Sequence, residues 1–458
     1  MTNIKQEERC MKRRDFFGAG VVAGMSAMPV GIVEAAPNLS SYKSVGMQTI
    51  PEKIAGMTLE ELRDDYRDRL FNQYLPFWEK GGYDKTHGGF MCELRDDGSV
   101  QKDEKFIWYQ GRAVWVYSFL YNYVKKDPRY LEIAEKTRDF MVKFMYNGDG
   151  TWKESVNRSG SEIPSTGQGS GSNIYGAMFS VAGLAELYGI TKNKADLDIA
   201  LASIEKSQDR YNDPSYDGAG SQKGMRAQGH TFMTIWPVSR LLHFYKDDAL
   251  ERLVREHVDH AMNDFWNPEY GIQNEHLAHD YSRVDGEDRS MSPGHTIETY
   301  WMVMYEALRI GNGTIFYQAK NRIRRIVEMC WDYVFDGWGT NSFEVFGSEN
   351  RPCETQFDIK TMWAHVEILL ATMSTLEYTG DAWALEWYER CRDFTIRAMP
   401  TDHGVWRQAV DRFGKDKKRN GISIYRKGNF HQPRYFLYNL LSLERMIKNN
   451  GKLTPFPL

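Results

Sequence analysis

Six glycine-bearing turns punctuate this chain at intervals of 53 to 68 residues. They are His87-Gly88-Gly89-Phe90, Gly148-Asp149-Gly150-Thr151-Trp152, Tyr216-Asp217-Gly218, Glu269-Tyr270-Gly271-Ile272, Gly337-Trp338-Gly339 and His403-Gly404-Val405-Trp406. Recurrence at such a period is the mark of a repeat architecture. Each interval has room for two ordinary helices and a turn or short hairpin. Apolar residues recur at i, i+3 and i+4 in 112–124, 173–188, 231–245, 295–309, 360–378 and 433–447, which predicts helices there. Thr58-x-x-Glu61 reads as a capping box opening the first helix. Six helix pairs with no distinct capping repeats close on themselves. The expected fold is therefore all-α, an (α/α)6 barrel with short β-hairpins in its loops, and an open helical solenoid is the competing arrangement.

Residues 58–458 read as one domain, with no low-complexity segment dividing them. Residues 37–57 read as a linker. Residues 11–36 carry Arg13-Arg14, then Phe16-Phe17, a Gly- and Ala-rich apolar run, and a small-residue cleavage pattern at Val33-Glu34-Ala35. This resembles a twin-arginine export signal, so 1–36 is expected to be a leader and the periplasm or beyond the destination. A membrane is then a partner only during export. Two stretches, 153–172 and 273–294, read as long loops, and long loops in a compact domain are often functional.

The net charge of −4 argues against a nucleic-acid partner. The 5 cysteines are scattered without metal-ligand spacing, so no metal is expected. Aromatic residues make up 14% of the chain, and Trp and Tyr suit sugar faces as well as cores.

Four clusters carry chemistry. Trp108-Tyr109-Gln110-Gly111-Arg112 sets an arginine fork near a helix start. Ser292-Pro293-Gly294-His295-Thr296-Ile297-Glu298 puts His295 in a first helical turn, where the dipole disfavours imidazolium, with Glu298 on the same face. Arg426-Lys427-Gly428-Asn429-Phe430-His431-Gln432-Pro433-Arg434 delivers His431 just before another helix. Trp363-Ala364-His365-Val366-Glu367 buries a carboxylate mid-helix, which is expensive unless paired, and turns His365 to another face. His230 opens a further helix. Read singly, each cluster is equally compatible with helix capping or a surface ion pair.

Together they resemble the N-acylglucosamine 2-epimerase family from about Leu59 to Asn449. The carrying motifs are Gln110-Gly111-Arg112-x-x-Trp115, Ile174-Tyr175-Gly176-x-Met178-Phe179, Pro293-Gly294-His295-x-x-Glu298-x-x-Trp301, Trp363-x-His365-x-Glu367 and Lys427-Gly428-Asn429-Phe430-His431-x-Pro433-Arg434. The resemblance implies the same barrel. It implies that His295 and His431 are the catalytic histidines and that Arg112 binds a substrate oxygen. It further implies that Glu298, Glu367, Trp363, His230, Tyr175 and Trp108 line the pocket. The chain departs from the family at Met362-Trp363-Ala364, where Trp-Trp-Pro is common, and around His230.

The implied reaction is C2 proton transfer on an opened reducing mono- or disaccharide, through an enediolate, giving an epimer or a ketose. His431 is expected to be the C2 base, with His295 and Glu298 serving ring opening and the second transfer. No cofactor is needed, and a homodimer is compatible with the sequence. A glycoside hydrolase or polysaccharide lyase on the same barrel is the alternative enzyme, and a non-catalytic sugar-binding protein the alternative outside enzymes.

Overall fold

Inner and outer helices separate by how much of their circumference is apolar. The computed structural model describes residues 49–163, 173–218, 222–337, 343–344, 359–416 and 426–457. The helices of the ring are α1 Leu59–Asp68, α2 Ile107–Phe119, α3 Pro128–Met145, α4 Ile174–Thr191, α5 Lys194–Tyr211 and α6 Gln228–Leu242. They continue as α7 Asp248–Asp259, α8 Pro293–Arg309, α9 Gly313–Cys330, α10 Met362–Thr379, α11 Ala382–Ala398 and α12 His431–Lys448. Every residue of α6 is buried, as is α4 from Ile174 to Leu187, so these helices face protein all round. By contrast α7 buries only Leu250, Val254, His257 and Val258, one stripe with charged residues opposite.

Neighbours in sequence pair as α2 with α3, α4 with α5, α6 with α7, α8 with α9 and α10 with α11. The sixth pair joins the two ends of the chain, because α1 packs on α12. The ring α2, α4, α6, α8, α10, α12 closes where Leu120–Val124, a π-helical continuation of α2, meets α12. Trp115 stacks on Tyr438 and meets Phe430 across this seam, with ring centres 6.1 and 5.5 Å apart. The fold is the closed (α/α)6 barrel, and closure leaves no terminal repeat to cap.

Two-residue and three-residue strands level the inner helices at one end. Lys105–Phe106, Met225–Ala227, Ser290–Met291 and Lys360–Thr361 lead directly into α2, α6, α8 and α10. Each pairs antiparallel with a later strand: Ser155–Val156, His276–Ala278, Phe343–Glu344 and Ala409–Val410 respectively. The repeat extends to individual atoms. Fully buried Lys105 meets Asp84 at 3.0 Å, and fully buried Lys360 meets Asp332 at 2.9 Å. Each lysine also donates to a loop carbonyl, Gly88 O or Asp336 O. The turn glycines allow this close approach: Gly88 has φ 77°, and a Cβ there would lie 2.6 Å from the Lys136 carbonyl oxygen.

The capping box forms as read, with Glu61 N donating to Thr58 and Thr58 N donating to Glu61. Three expectations change. The linker is not free at its C-terminal end: Ile50 and Ile54 are in the core, and Thr49 bridges to Lys452. Arg112 is not at a helix start, since α2 begins five residues earlier at Ile107. His431 is inside its helix, as the first residue of α12. The leader, residues 37–48 and loop residues 164–172 lie outside the described residues.

Candidate active site

All six inner helices bring their N-terminal turns to the same end of the barrel. Trp108, Tyr175, His230, His295, Trp363 and His431 each lie in the first turn of their helix. Three glycines in the first turns of these helices make room for this convergence. A Cβ at Gly176 would lie 3.2 Å from Trp108, one at Gly229 would lie 1.8 Å from the Tyr175 hydroxyl, and one at Gly294 would lie 2.2 Å from the Trp363 ring.

The rings form a closed circuit. Trp108 stacks on Tyr175 at 5.2 Å, and Tyr175 reaches Phe232 at 6.4 Å. Phe232 lies 5.4 Å from His295, and Trp363 stands 5.7 Å from His295 and 5.4 Å from His431. Phe430, beside His431, meets Phe179 at 5.1 Å, and Phe179 returns to Trp108 at 5.9 Å. His230 is buried against Tyr175 and Tyr216.

One turn deeper lie the charges. Arg112, Glu298 and Glu367 are each the sixth residue of their helix. Arg434, fully buried, donates through Nη2 to Glu298 Oε1 and Glu367 Oε1, both at 2.6 Å. Its guanidinium lies between Phe430 and Trp301, 4.3 and 4.8 Å from their ring centres. Trp301 Nε1 donates to Glu367 Oε2 at 2.6 Å. Arg112 stands 4.0 Å from the Phe179 ring, and its buried Nε has no hydrogen-bond partner among the described residues. Burial pushes its guanidinium down to about 10.

Each histidine is held through Nδ1, leaving Nε2 without a hydrogen bond among the described residues. His431 Nδ1 lies 2.8 Å from Glu367 Oε1, and His295 Nδ1 lies 2.8 Å from Glu275 Oε1. Glu275 is fixed in turn by Gln228 Nε2 at 2.6 Å. The two histidines titrate in opposite directions. Burial, with Arg434 and Arg112 close by, holds His431 well below its usual value, although Glu298 opposes this. For His295 burial also disfavours the charge, but Glu275 outweighs it and the net shift is upward. Glu275 itself is held below the usual carboxylate range: burial opposes this, and His295 and Gln228 overcome it.

The expected His295–Glu298 partnership does not form. Glu298 pairs with Arg434 and faces His431 at 3.9 Å, whereas Glu275 serves His295. His295 is thus biased towards the charged form, against the reading from the helix dipole alone. Glu275 and Arg434 were not among the expected site residues. His365 does face away: its Nδ1 meets Thr361 O at 2.7 Å, its ring stacks on Phe394, and burial pushes it down to about 3. Glu298, Glu367 and His431 bring ligand-type atoms within 4.8 Å of one another. The cation they share in this structure is Arg434 Nη2.

The family model described as N-acylglucosamine 2-epimerase (GlcNAc 2-epimerase) matches residues 88–423. The N-acylglucosamine 2-epimerase of Bos taurus is 24% identical over 407 residues, covering 84% of this chain and 92% of that protein. The cellobiose 2-epimerase of Dictyoglomus turgidum is 21% identical over 380 residues, covering 77% and 92%. The solved structure of cellobiose 2-epimerase from Bacillus thermoamylovorans superposes with a TM-score of 0.71 at 19% identity, covering 83% of this chain and 99% of that one.

Proposed function

This chain belongs to the N-acylglucosamine 2-epimerase family and is an isomerase of that kind, and from that premise we propose that it moves the C2 proton of a reducing sugar through an enediolate. The observation that carries the proposal is the pair of histidines on either side of Trp363, each with Nδ1 fixed by a buried carboxylate and Nε2 without a hydrogen bond among the described residues.

His431 is the first base. With Nδ1–H donated to Glu367, its Nε2 presents a lone pair, and its lowered basicity keeps that lone pair free near neutral pH. General-base action of this kind is worth roughly 10² to 10⁴ in rate. The sugar ring opens as His295 gives its proton to the ring oxygen and regains one from the C1 hydroxyl, the C1 carbonyl acidifies C2–H, and His431 takes the proton. Negative charge then develops on the C1 and C2 oxygens. Arg112, which has no carboxylate partner among the described residues, and the six convergent helix N-termini stabilise it. His295, biased towards its protonated form by Glu275, delivers a proton to the opposite face of C2, which gives the epimer. Return of the proton from His431 to C1 gives the ketose instead. The three carboxylates of the site are each bonded to a histidine or an arginine, so none stands free as the acid of a glycosidase pair.

Proton NMR in D₂O with glucose, mannose, N-acetylglucosamine, N-acetylmannosamine, cellobiose and uronic acids tests this. Loss of a C2 proton signal is expected, and the product separates epimerase from isomerase. His431→Ala and His295→Ala should fold and lose the exchange; exchange persisting in both would refute the assignment. We also propose export by the twin-arginine route, from Arg13-Arg14 and the apolar run after it. Lysines at both positions should hold the protein in the cytoplasm on fractionation, and unchanged export would refute this.

A further inference from the structure

A second cavity of about 330 Å³ opens at the other end of the barrel, among the C-terminal halves of α2, α6, α8, α10 and α12. That volume is at the lower end of small-molecule sites, about 300–1,000 Å³. Its walls include the rings of Phe119, Tyr305 and Tyr438, with Tyr123 partly exposed at the rim.

The charges around it are already committed. Arg240 pairs with Glu186, Arg309 with Glu251 and Glu306, and Arg445 with Glu377. Helix C-termini carry the negative end of the dipole, so five of them together disfavour an anion. Among the described residues a phosphate or carboxylate therefore finds neither a free cation nor a favourable field. What remains available is neutral. Ser374 Oγ and Tyr378 Oη line the cavity without a hydrogen bond among the described residues. His243 also lines it, with Nε2 on Tyr305 Oη at 2.8 Å. Burial pushes His243 down to about 4, so near neutral pH its ring both donates and accepts. Aromatic rings beside neutral hydroxyl and imidazole groups match a ligand ring that is apolar on its faces and hydroxylated at its edge.

We propose that this cavity binds an uncharged sugar ring and that its occupancy acts on the active site through Trp301. The Trp301 ring lines the cavity, and its Nε1 holds Glu367, the residue that fixes His431. The coupling rests on the active-site reading above; the binding does not.

Methyl β-D-glucopyranoside and methyl β-cellobioside are suitable probes, because neither can open to an aldehyde. Saturation-transfer NMR on the full chain should show binding that is lost in both Ser374→Phe and Leu308→Trp, two cavity-filling changes on different helices. Circular dichroism checks that each variant folds. Binding that is absent, or equal in wild type and both variants, overturns the site. In the C2-exchange assay at saturating reducing sugar, the glycoside should change kcat about five-fold, at the lower end of ordinary couplings between sites. Trp301→Phe should keep the binding and lose that change. A purely competitive effect, or a change in kcat that survives Trp301→Phe, overturns the coupling. Should the protein show no exchange at all, the proposed reaction fails and the binding arm still decides the site.

Discussion

Arg434→Met tests the ionic centre beneath the histidines. Arg434 is fully buried, and one nitrogen serves two carboxylates at 2.6 Å. Methionine keeps most of the packing against Phe430 and Trp301 but removes the charge. Glu298 and Glu367 are then left buried beside each other without their cation. Removing one partner of a buried pair costs about 3–5 kcal/mol. Over roughly 400 ordered residues the unfolding entropy is about 0.85 kcal/mol per kelvin, so Tm should fall by about 4–6 °C. The loss should also depend on pH. Burial already holds Glu367 above the usual carboxylate value despite Arg434, and removing the cation raises it further. A group whose folded-state value is raised stabilises the fold at low pH and loses that contribution as pH rises through the folded-state value. The deficit should therefore be smallest in acid and grow towards neutrality. Adding Glu298→Gln and Glu367→Gln should recover part of it. Calorimetry at several pH values reads all of this. A Tm within about 1 °C of wild type at neutral pH, or a deficit that grows in acid, would refute the reasoning.

Three further outcomes follow from the same geometry. C2 exchange should hold on the acid side, because His431 stays neutral well below its usual value, and fall on the alkaline side as His295 deprotonates above its usual value; in Glu275→Gln the alkaline limb should move to lower pH with the melting temperature little changed, and a stationary limb would count against Glu275 as the residue that sets His295. Gly294→Ala should push Trp363 from between the histidines, because the new Cβ would lie 2.2 Å from its ring; kcat should fall by about 10², while far-ultraviolet dichroism stays native, and full activity would refute the steric argument. Asp332→Ala should cost about 3–5 kcal/mol by removing the carboxylate bonded to fully buried Lys360, and Asp332→Ala/Lys360→Met should recover much of that in denaturant titration.

The repeat was legible because helix count and turn spacing follow from local chemistry. A glycine turn, a capping box and a 3.6-residue apolar period each act over a few residues. The first-turn position of His295 was legible for the same reason, whereas His431, read as lying just before its helix, is its first residue. What was not legible is pairing across the ring. Arg434 meets Glu298 136 residues away and Glu367 67 residues away, and no local pattern marks those distances. Glu298 sits three residues after His295 on the same helix face, so the sequence pairs them. In the fold the buried guanidinium on α12 is the stronger partner, and Glu298 turns to it. Glu275 was hidden in an irregular loop, where neither period nor cap singles out one acid. The length of that loop was the only signal. The motif glycines were visible as helix-start residues, yet their role is to admit a ring from a neighbouring helix, which only the closed barrel reveals.

The charge balance of the site explains why these distant pairings matter to the proposed chemistry. Glu275, Glu298 and Glu367 face Arg112, Arg434 and a protonated His295, so the resting site carries no net charge. When C2–H leaves as a proton to His431, an anion and a cation appear together, and the sum is unchanged. A water-poor pocket penalises net charge far more than a separated pair lying close together. The enediolate gains the helix N-termini and Arg112, while the new imidazolium gains Glu367 and Glu298. Losing one carboxylate therefore does more than remove a hydrogen bond. It leaves the site one unit positive before any substrate enters, which raises the cost of the His431 cation while easing the anion. Glu367→Gln should accordingly slow proton abstraction more than it weakens sugar binding. A fall in kcat of about 10² or more with KM changed less than about three-fold is expected, and an equal loss in both would show that Glu367 acts by binding alone.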